Sequence, residues 1–177
     1  MPANNRFVKI NAQIAMTIYP MTADHAASVL AIYQEGISTG NATFQTAAPT
    51  WEEWDKSHLS KCRLVAMEND QVIGWAALTP VSGRCVYAGV AEVSVYVALN
   101  AGGKGVGKAL LKKLMEVSEE NGIWTLQAGI FPENTASIQI HEANGFRLVG
   151  RREKIGKMGD RWRDTLLLEK RSTKTGI

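Results

Sequence analysis

An α/β fold, with a mixed central sheet and helices on both faces, is the architecture this sequence predicts. Three observations carry it. β-branched runs and helical-period runs alternate along the 177 residues. A glycine-dense stretch, Gly102-Gly103-Lys104-Gly105-Val106-Gly107-Lys108, divides a strand-like run ending at Val97 from an amphipathic run closing at Asn121-Gly122. The order of elements reads as one strand, two helices, four strands, a helix, a strand, a helix and two closing strands. That alternation needs a sheet covered on both sides.

The elements follow from local signals. Residues 17–20 read as a strand. Asp24 suits the N-cap of a helix over about 25–36, with Val29, Ile32 and Tyr33 at helical spacing. Residues 37–44 are small and polar apart from Phe44, and read as a loop able to carry binding groups. Thr50-Trp51-Glu52-Glu53 is a capping box opening a second helix toward Cys62. Strands over 64–67 and 72–78 flank the hairpin signal Asn69-Asp70. Pro80 and Gly83 break the run, and a short extended segment follows at 85–87. Residues 90–97 form the strand entering the glycine stretch. Alternation puts Glu92, Ser94 and Tyr96 on one face and Val93, Val95 and Val97 on the other. After the glycines, Val106, Leu110, Leu114 and Val117 share a helical stripe, and Gly122 ends it. A strand spans 123–131. Asn134 caps a helix over 135–144, and Gly145 stops it. A strand over 146–150, a turn holding Gly156 and Gly159, and a strand over 162–169 complete the chain. Residues 1–15 are polar and irregular and are expected to be a tail or extension. Residues 16–172 form one domain.

The glycine stretch has chemical meaning. Four glycines in six residues cost backbone entropy, so a turn without a task is a poor account of them. Without Cβ atoms, backbone N–H groups can converge on an anion at the positive end of a helix. A P-loop needs Ser or Thr after Lys108, where Ala109 stands. A dinucleotide fingerprint needs a third glycine where Leu110 stands. The pyrophosphate loop of an acyl-CoA site needs glycine amides and a helix N-terminus but no metal, and the segment suits it.

Composition narrows the class. Hydrophobic residues make up 45% and charged residues 21%, which suits a globular domain. The net charge of +3 comes from basic residues without a long run, so nucleic acid is not an expected partner, and Arg151, Arg152, Arg161 and Arg163 read as a solvated strand face. Two cysteines, Cys62 and Cys85, suggest neither a disulfide scaffold nor a zinc site, and no metal is expected. Reduced thiols suit the cytoplasm. No apolar run reaches the length of a membrane span, so no membrane partner is expected.

At the glycine stretch the chain resembles motif A of the GNAT (Gcn5-related) N-acetyltransferases, with Val95-Tyr96-Val97 before Gly103-Lys104-Gly105-Val106-Gly107-Lys108-Ala109. The family pattern opens on Arg or Gln, where this chain has Gly102, so one side-chain contact to the pyrophosphate is missing. A second segment, from Asn134 through Ser137 and His141 to Gly145-Phe146, is similar to motif B. The resemblance covers about residues 17–170. Within the family the chain is most similar to the phosphinothricin and methionine sulfoximine acetyltransferase branch, through residues 91–97, 36–44, His141 and Arg161-Trp162-Arg163-Asp164.

The resemblance implies the GNAT fold, acetyl-CoA as cosubstrate and a homodimer. It assigns Val95, Tyr96 and Val97 to the pantetheine arm. Gly102, Gly103, Lys104, Gly105, Val106, Gly107 and Lys108 fall to the pyrophosphate, and Asn134 and Ser137 to the cofactor arm. Asn134 is also an ordinary N-cap. Glu92 stands out by itself, because a carboxylate in an apolar strand either faces solvent or has a task. As a general base it would take the proton of an ammonium, directly or through water. His141 is either a residue stabilised by its helix C-terminus or the donor to the departing thiolate. Phe44, Arg84, Tyr87 and Glu92 are the expected substrate contacts, with ordinary surface packing as the alternative for Arg84 and Tyr87. Residues 37–48 hold no acid, which favours a zwitterionic or anionic amine such as phosphinothricin or methionine sulfoximine. A polyamine, an aminoglycoside, a protein N-terminus, or a non-catalytic acyl-CoA sensor are the competing readings.

Overall fold

The computed structural model describes residues 16–177, so the expected tail at 1–15 lies outside the described residues. In chain order the elements are β1 (Thr17–Pro20), α1 (Ala26–Ser38), α2 (Trp51–Ser57), β2 (Leu64–Glu68), β3 (Gln71–Pro80), β4 (Val90–Val97), α3 (Val106–Glu120), β5 (Thr125–Ile130), α4 (Thr135–Ala143), β6 (Arg147–Met158) and β7 (Arg161–Arg171). The strands form one sheet in the order β1-β2-β3-β4-β5-β7-β6. Every pairing is antiparallel except β4 with β5.

Local chemistry sets the boundaries. The Thr50 N–H donates to Glu53 Oε2 at 2.9 Å and Glu53 N–H to Thr50 Oγ1 at 3.3 Å, the reciprocal capping box that starts α2. Asn69 and Asp70 both take positive φ, 51° and 59°, as a tight hairpin with matching twist requires. Gly122 and Gly145 stand just past α3 and α4 with φ of 78° and 83°.

Several expectations are corrected. Asp24 does not cap α1, whose N-cap is His25; the polar N-cap is Thr22, one turn earlier. It starts a 3-10 turn, Ala23–His25, in which Thr22 N–H donates to His25 Nδ1 at 2.9 Å. Residues 85–87 are a 3-10 turn and not extended, with Ala88 N–H bonded to Cys85 O at 3.1 Å. Gly156 belongs to β6, not to a turn. β6 runs to Met158 through register shifts at Leu148/Gly150 and Arg152/Gly156. An edge strand wet on both faces has no hydrophobic alternation to announce it.

Helices cover both faces. Trp75 on β3 meets Tyr33 of α1 and Trp54 of α2 edge-on, with ring centroids 5.8 and 5.4 Å apart. On the other face, a Cβ at Gly74 would lie 3.0 Å from Val106 and 3.1 Å from Leu110 of α3. Val106, Leu110, Leu111 and Leu114 are all buried there, a face wider than the expected stripe.

Candidate active site

The decisive feature is a divergence in the sheet. β4 and β5 pair only at Val90, Ala91 and Glu92, opposite Thr125, Leu126 and Gln127. Beyond that, residues 93–97 stay bonded to β3 alone, and residues 128–130 to β7 alone. One backbone edge of β4 is thereby left without a strand. The opening is a cleft of about 830 Å³ lined by both strand ends, the start of α3, the inner side of α4 and residues 39–44.

The glycine stretch closes one end of this cleft. Gly105 is the N-cap of α3 with φ 81°, a left-handed conformation that a side chain resists. The first α3 amide with a backbone acceptor is Ala109 N–H, 3.0 Å from Gly105 O. The amides of Gly105, Val106, Gly107 and Lys108 precede it and are the orphan donors of a helix start. A Cβ at Gly107 would stand 3.2 Å from Ile140 and 3.4 Å from Val97, so the glycine lets α3, α4 and β4 close together. These residues fit a CoA pyrophosphate: free amides, a positive helix end and no side chain in the way. Gly102, Gly103 and Lys108 also line the cleft. Lys104 does not; its ammonium lies 3.5 Å from Glu68 of β2.

Val93 to Val97 line the cleft with Ala128 to Phe131 across from them. Glu92 stands where β4 and β5 part, half-buried, and accepts one hydrogen bond from Gln127 Nε2 at 3.0 Å. Tyr96, two pleats further on, stacks on Trp75 at 4.8 Å and meets Tyr33 at 4.8 Å. Burial raises the pKa of both tyrosines, so both hydroxyls stay protonated and act as neutral polar groups of the wall.

His141 lines the cleft from α4 and is 3% exposed. Its Nδ1 lies 2.7 Å from Ser137 O, which only accepts, so Nδ1 carries the ring proton. Nε2 is then the bare nitrogen, buried without a partner among the described residues. Burial holds the pKa below its ordinary 6.5, against the pull of the Ser137 carbonyl. His58, stacked on Trp54, is lowered by burial in the same way. A histidine kept neutral by folding takes up its proton more readily unfolded. Its contribution to stability is full above about pH 6.5 and is lost as the pH falls from there toward the lowered folded value. The unfolding free energy from urea titration is therefore expected to drop between pH 7 and 5, by at most about 1.4 kcal/mol per pH unit for each histidine. That window lies above the one in which Glu119, Glu133 and Asp164, whose pKa values folding lowers, are protonated and lose their stabilising contribution. His141→Gln should flatten the slope, and an unchanged slope contradicts the neutral assignment.

The α4 start is tied to the loop before α2. Asn134 Oδ1 accepts from Ser137 N–H at 3.2 Å, and Nδ2 donates to Asn41 O at 3.2 Å. Phe44 meets Phe131 edge-on at 4.8 Å and lies where a Cβ on Gly156 would be, 2.5 Å away. Arg84 and Tyr87 are corrected as cleft residues: they stack on one another, 5.6 Å apart, on the exposed turn outside the cleft. Tyr33 and Glu133 also stand in the wall without having been expected there, and Arg163, expected on a solvated strand face, is buried behind it. Charge inside a strand was a signal for Arg163, as it was for Glu92.

The parting of a parallel pair beside a glycine-capped helix fits the acyl-CoA site that the sequence resemblance implies. The model of the acetyltransferase (GNAT) domain matches residues 20–167, and the chain belongs to that family of acetyl-CoA-dependent N-acetyltransferases. Its relatives include phosphinothricin and methionine sulfoximine acetyltransferases, and its structural neighbours include a ribosomal-protein-alanine N-acetyltransferase from Brucella melitensis, with a TM-score of 0.80 at 31% identity, covering 88% of this chain and 99% of that one. The chain is 32% identical over 170 residues to the phosphinothricin N-acetyltransferase of Alcaligenes faecalis, covering 90% of this chain and 84% of that one. It is 32% identical over 106 residues to the L-methionine sulfoximine/L-methionine sulfone acetyltransferase of Salmonella typhimurium, covering 60% and 62%. The structure of a phosphinothricin acetyltransferase from Sinorhizobium meliloti, in complex with acetyl-CoA, superposes with a TM-score of 0.81 at 28% identity, covering 91% of this chain and 90% of that one.

Proposed function

We propose that the protein acetylates the primary amine of a small amino-acid-like substrate, of the phosphinothricin or methionine sulfoximine kind, by direct attack in a ternary complex. The single observation that carries this reading is the parting of β4 and β5 at Glu92. It sets a carboxylate at the head of an open strand edge whose other end is the glycine cradle.

Acetyl-CoA supplies the thioester when bound. The amides of Gly105 to Lys108 hold its pyrophosphate, and the open edge of 93–97 pairs with its arm as a strand would. A backbone N–H on that edge polarises the carbonyl. The amine arrives as an ammonium, and Glu92 accepts its first proton, directly or through water, and returns it to solvent. The bare Nε2 of His141 is a receiver for the second amine proton, which passes to the departing sulfur. His141 thus donates only after it has accepted. Cys62 and Cys85 are free thiols; Cys62 is buried with its pKa raised, and neither lines the cleft, so no acetyl-enzyme is needed. The free thiols suit a cytoplasmic enzyme. Homodimerisation is supported by the uncovered edge strand β6, with Leu148, Val149 and Ile155 exposed beside Trp162 of β7.

The test is CoA release from acetyl-CoA with phosphinothricin, methionine sulfoximine, a polyamine, an aminoglycoside and a short peptide. Turnover confined to the first two is expected. Turnover confined to another amine overturns the substrate class, and binding without turnover on any amine makes the protein a sensor.

A further inference from the structure

We propose that Arg163 is a positioning residue for the amine-accepting side of the cleft: it holds residues 40–44 against the 131–134 turn in the pose that forms the acceptor wall. The inference rests on the cleft being an acceptor site.

Arg163 lies on β7 with its side chain 4% exposed. Nη1 donates to Gly40 O at 2.9 Å. Nη2 donates to Asn41 Oδ1 at 2.9 Å and to Glu133 Oε2 at 3.2 Å. The guanidinium lies over the Phe131 ring, 3.9 Å from its centroid, and Phe131 in turn holds Phe44. One side chain thus joins three segments remote in sequence: the loop after α1, the turn before α4, and β7. Arg163 does not line the cleft itself. Asn41, Phe44, Phe131 and Glu133, which it holds directly or through one ring, all do.

The loop cannot set this position alone. Its own hydrogen bonds are short-range: Gly40 N–H to Ile37 O at 3.0 Å, Asn41 N–H to Thr39 Oγ1 at 3.2 Å and Gln45 N–H to Thr43 Oγ1 at 3.2 Å. They shape turns but do not place them against the sheet. Placement comes from Arg163, from the Asn134 bond to Asn41 O, from Phe44 against Phe131, and from Thr43 against the hydroxyls of Tyr33 and Tyr96. Burying a guanidinium against a partly exposed carboxylate, 44% exposed at Glu133, is also a poor device for stability, since an apolar chain of similar volume commonly does as well. Here Nε is buried without a partner among the described residues, so the core gains little from the charge. What a planar fork supplies and an aliphatic chain does not is two fixed directions, one to each segment.

The test uses Arg163→Met, Arg163→Lys and Asn41→Ala in the full chain, with two readouts. The first is chymotrypsin nicking after Phe44, relative to nicking after Tyr87 on the exposed turn outside the cleft. The second is kcat and KM for L-methionine sulfoximine at saturating acetyl-CoA. Arg163→Met is expected to raise relative nicking after Phe44 and the amine KM by about tenfold or more, with kcat within about threefold, the scale of lost charge-assisted hydrogen bonds. Arg163→Lys should recover part of both. Asn41→Ala, which leaves the core intact, should raise nicking as well, and adding it to Arg163→Met should do little more. The inference is overturned if nicking after Phe44 is unchanged, if it rises only in step with Tyr87, or if kcat falls while KM stays put. Should L-methionine sulfoximine not be acetylated, the substrate reading fails, and the nicking ratio decides the role of Arg163 by itself. If Arg163→Met does not fold, the Asn41→Ala ratio decides it.

Discussion

Glu92→Gln is expected to lower kcat by roughly 10²- to 10⁴-fold, with acetyl-CoA affinity and thermal stability nearly unchanged. The substitution is almost isosteric. The Gln127 Nε2 that donates to Glu92 at 3.0 Å would find the amide oxygen instead, so the strand pairing of β4 and β5 survives. What disappears is the acceptor for the ammonium proton. Only the neutral amine attacks a thioester, so a site without a base waits for the small unprotonated fraction in solution. The loss therefore falls on turnover and not on cofactor binding. A kcat within about threefold of the unmodified enzyme would remove Glu92 as the base.

Gly105→Val should weaken acetyl-CoA binding by roughly ten- to a hundredfold. The cause is conformational. Nothing stands within 4 Å of a Cβ at this position, so there is no clash. The obstacle is φ of 81°, a region that costs a β-branched residue on the order of 1–3 kcal/mol. Relief of that strain rotates the N-cap, and the orphan amides of Val106, Gly107 and Lys108 no longer converge. Gly105→Asn is the control, since Asn tolerates the left-handed region. It should keep most of the affinity. An unaltered dissociation constant for the valine variant, measured by calorimetry, contradicts the cradle.

These two residues were legible before the fold was known, and the reason is physical. Glycines at a helix start and a carboxylate in an apolar strand both violate local preference, and such violations are visible in sequence. Capping boxes, hairpin turns and helix-ending glycines are equally local, which is why the start of α2, the Asn69-Asp70 turn and the ends of α3 and α4 fell where expected; α2 has no such stop signal and ends at Ser57, short of Cys62. The parting of β4 and β5 was not legible. It depends on which strand each residue pairs with: β5 is bonded to β7 along 125–130 but to β4 only along 125–127. Periodicity within one strand carries no such information. β6 was read short because Arg151, Arg152, Glu153 and Lys154 look like a solvated loop, and on an edge strand they are a solvated surface. Arg84 and Tyr87 were placed in the site by closeness in sequence to Glu92. The turn that holds them carries both away from the cleft. Arg163 was read as solvated because its partners are 30 to 123 residues distant along the chain.

The central claim is that acetyl-CoA lies along the open edge of β4 as an added strand. Amide hydrogen exchange, with and without acetyl-CoA, tests it most directly. The account predicts that the cosubstrate slows exchange within residues 93–97 and at residues 105–108, and leaves the paired amides of β3 as they were. Acetyl-CoA that binds while residues 93–97 exchange at the same rate, with protection arising elsewhere, would contradict it.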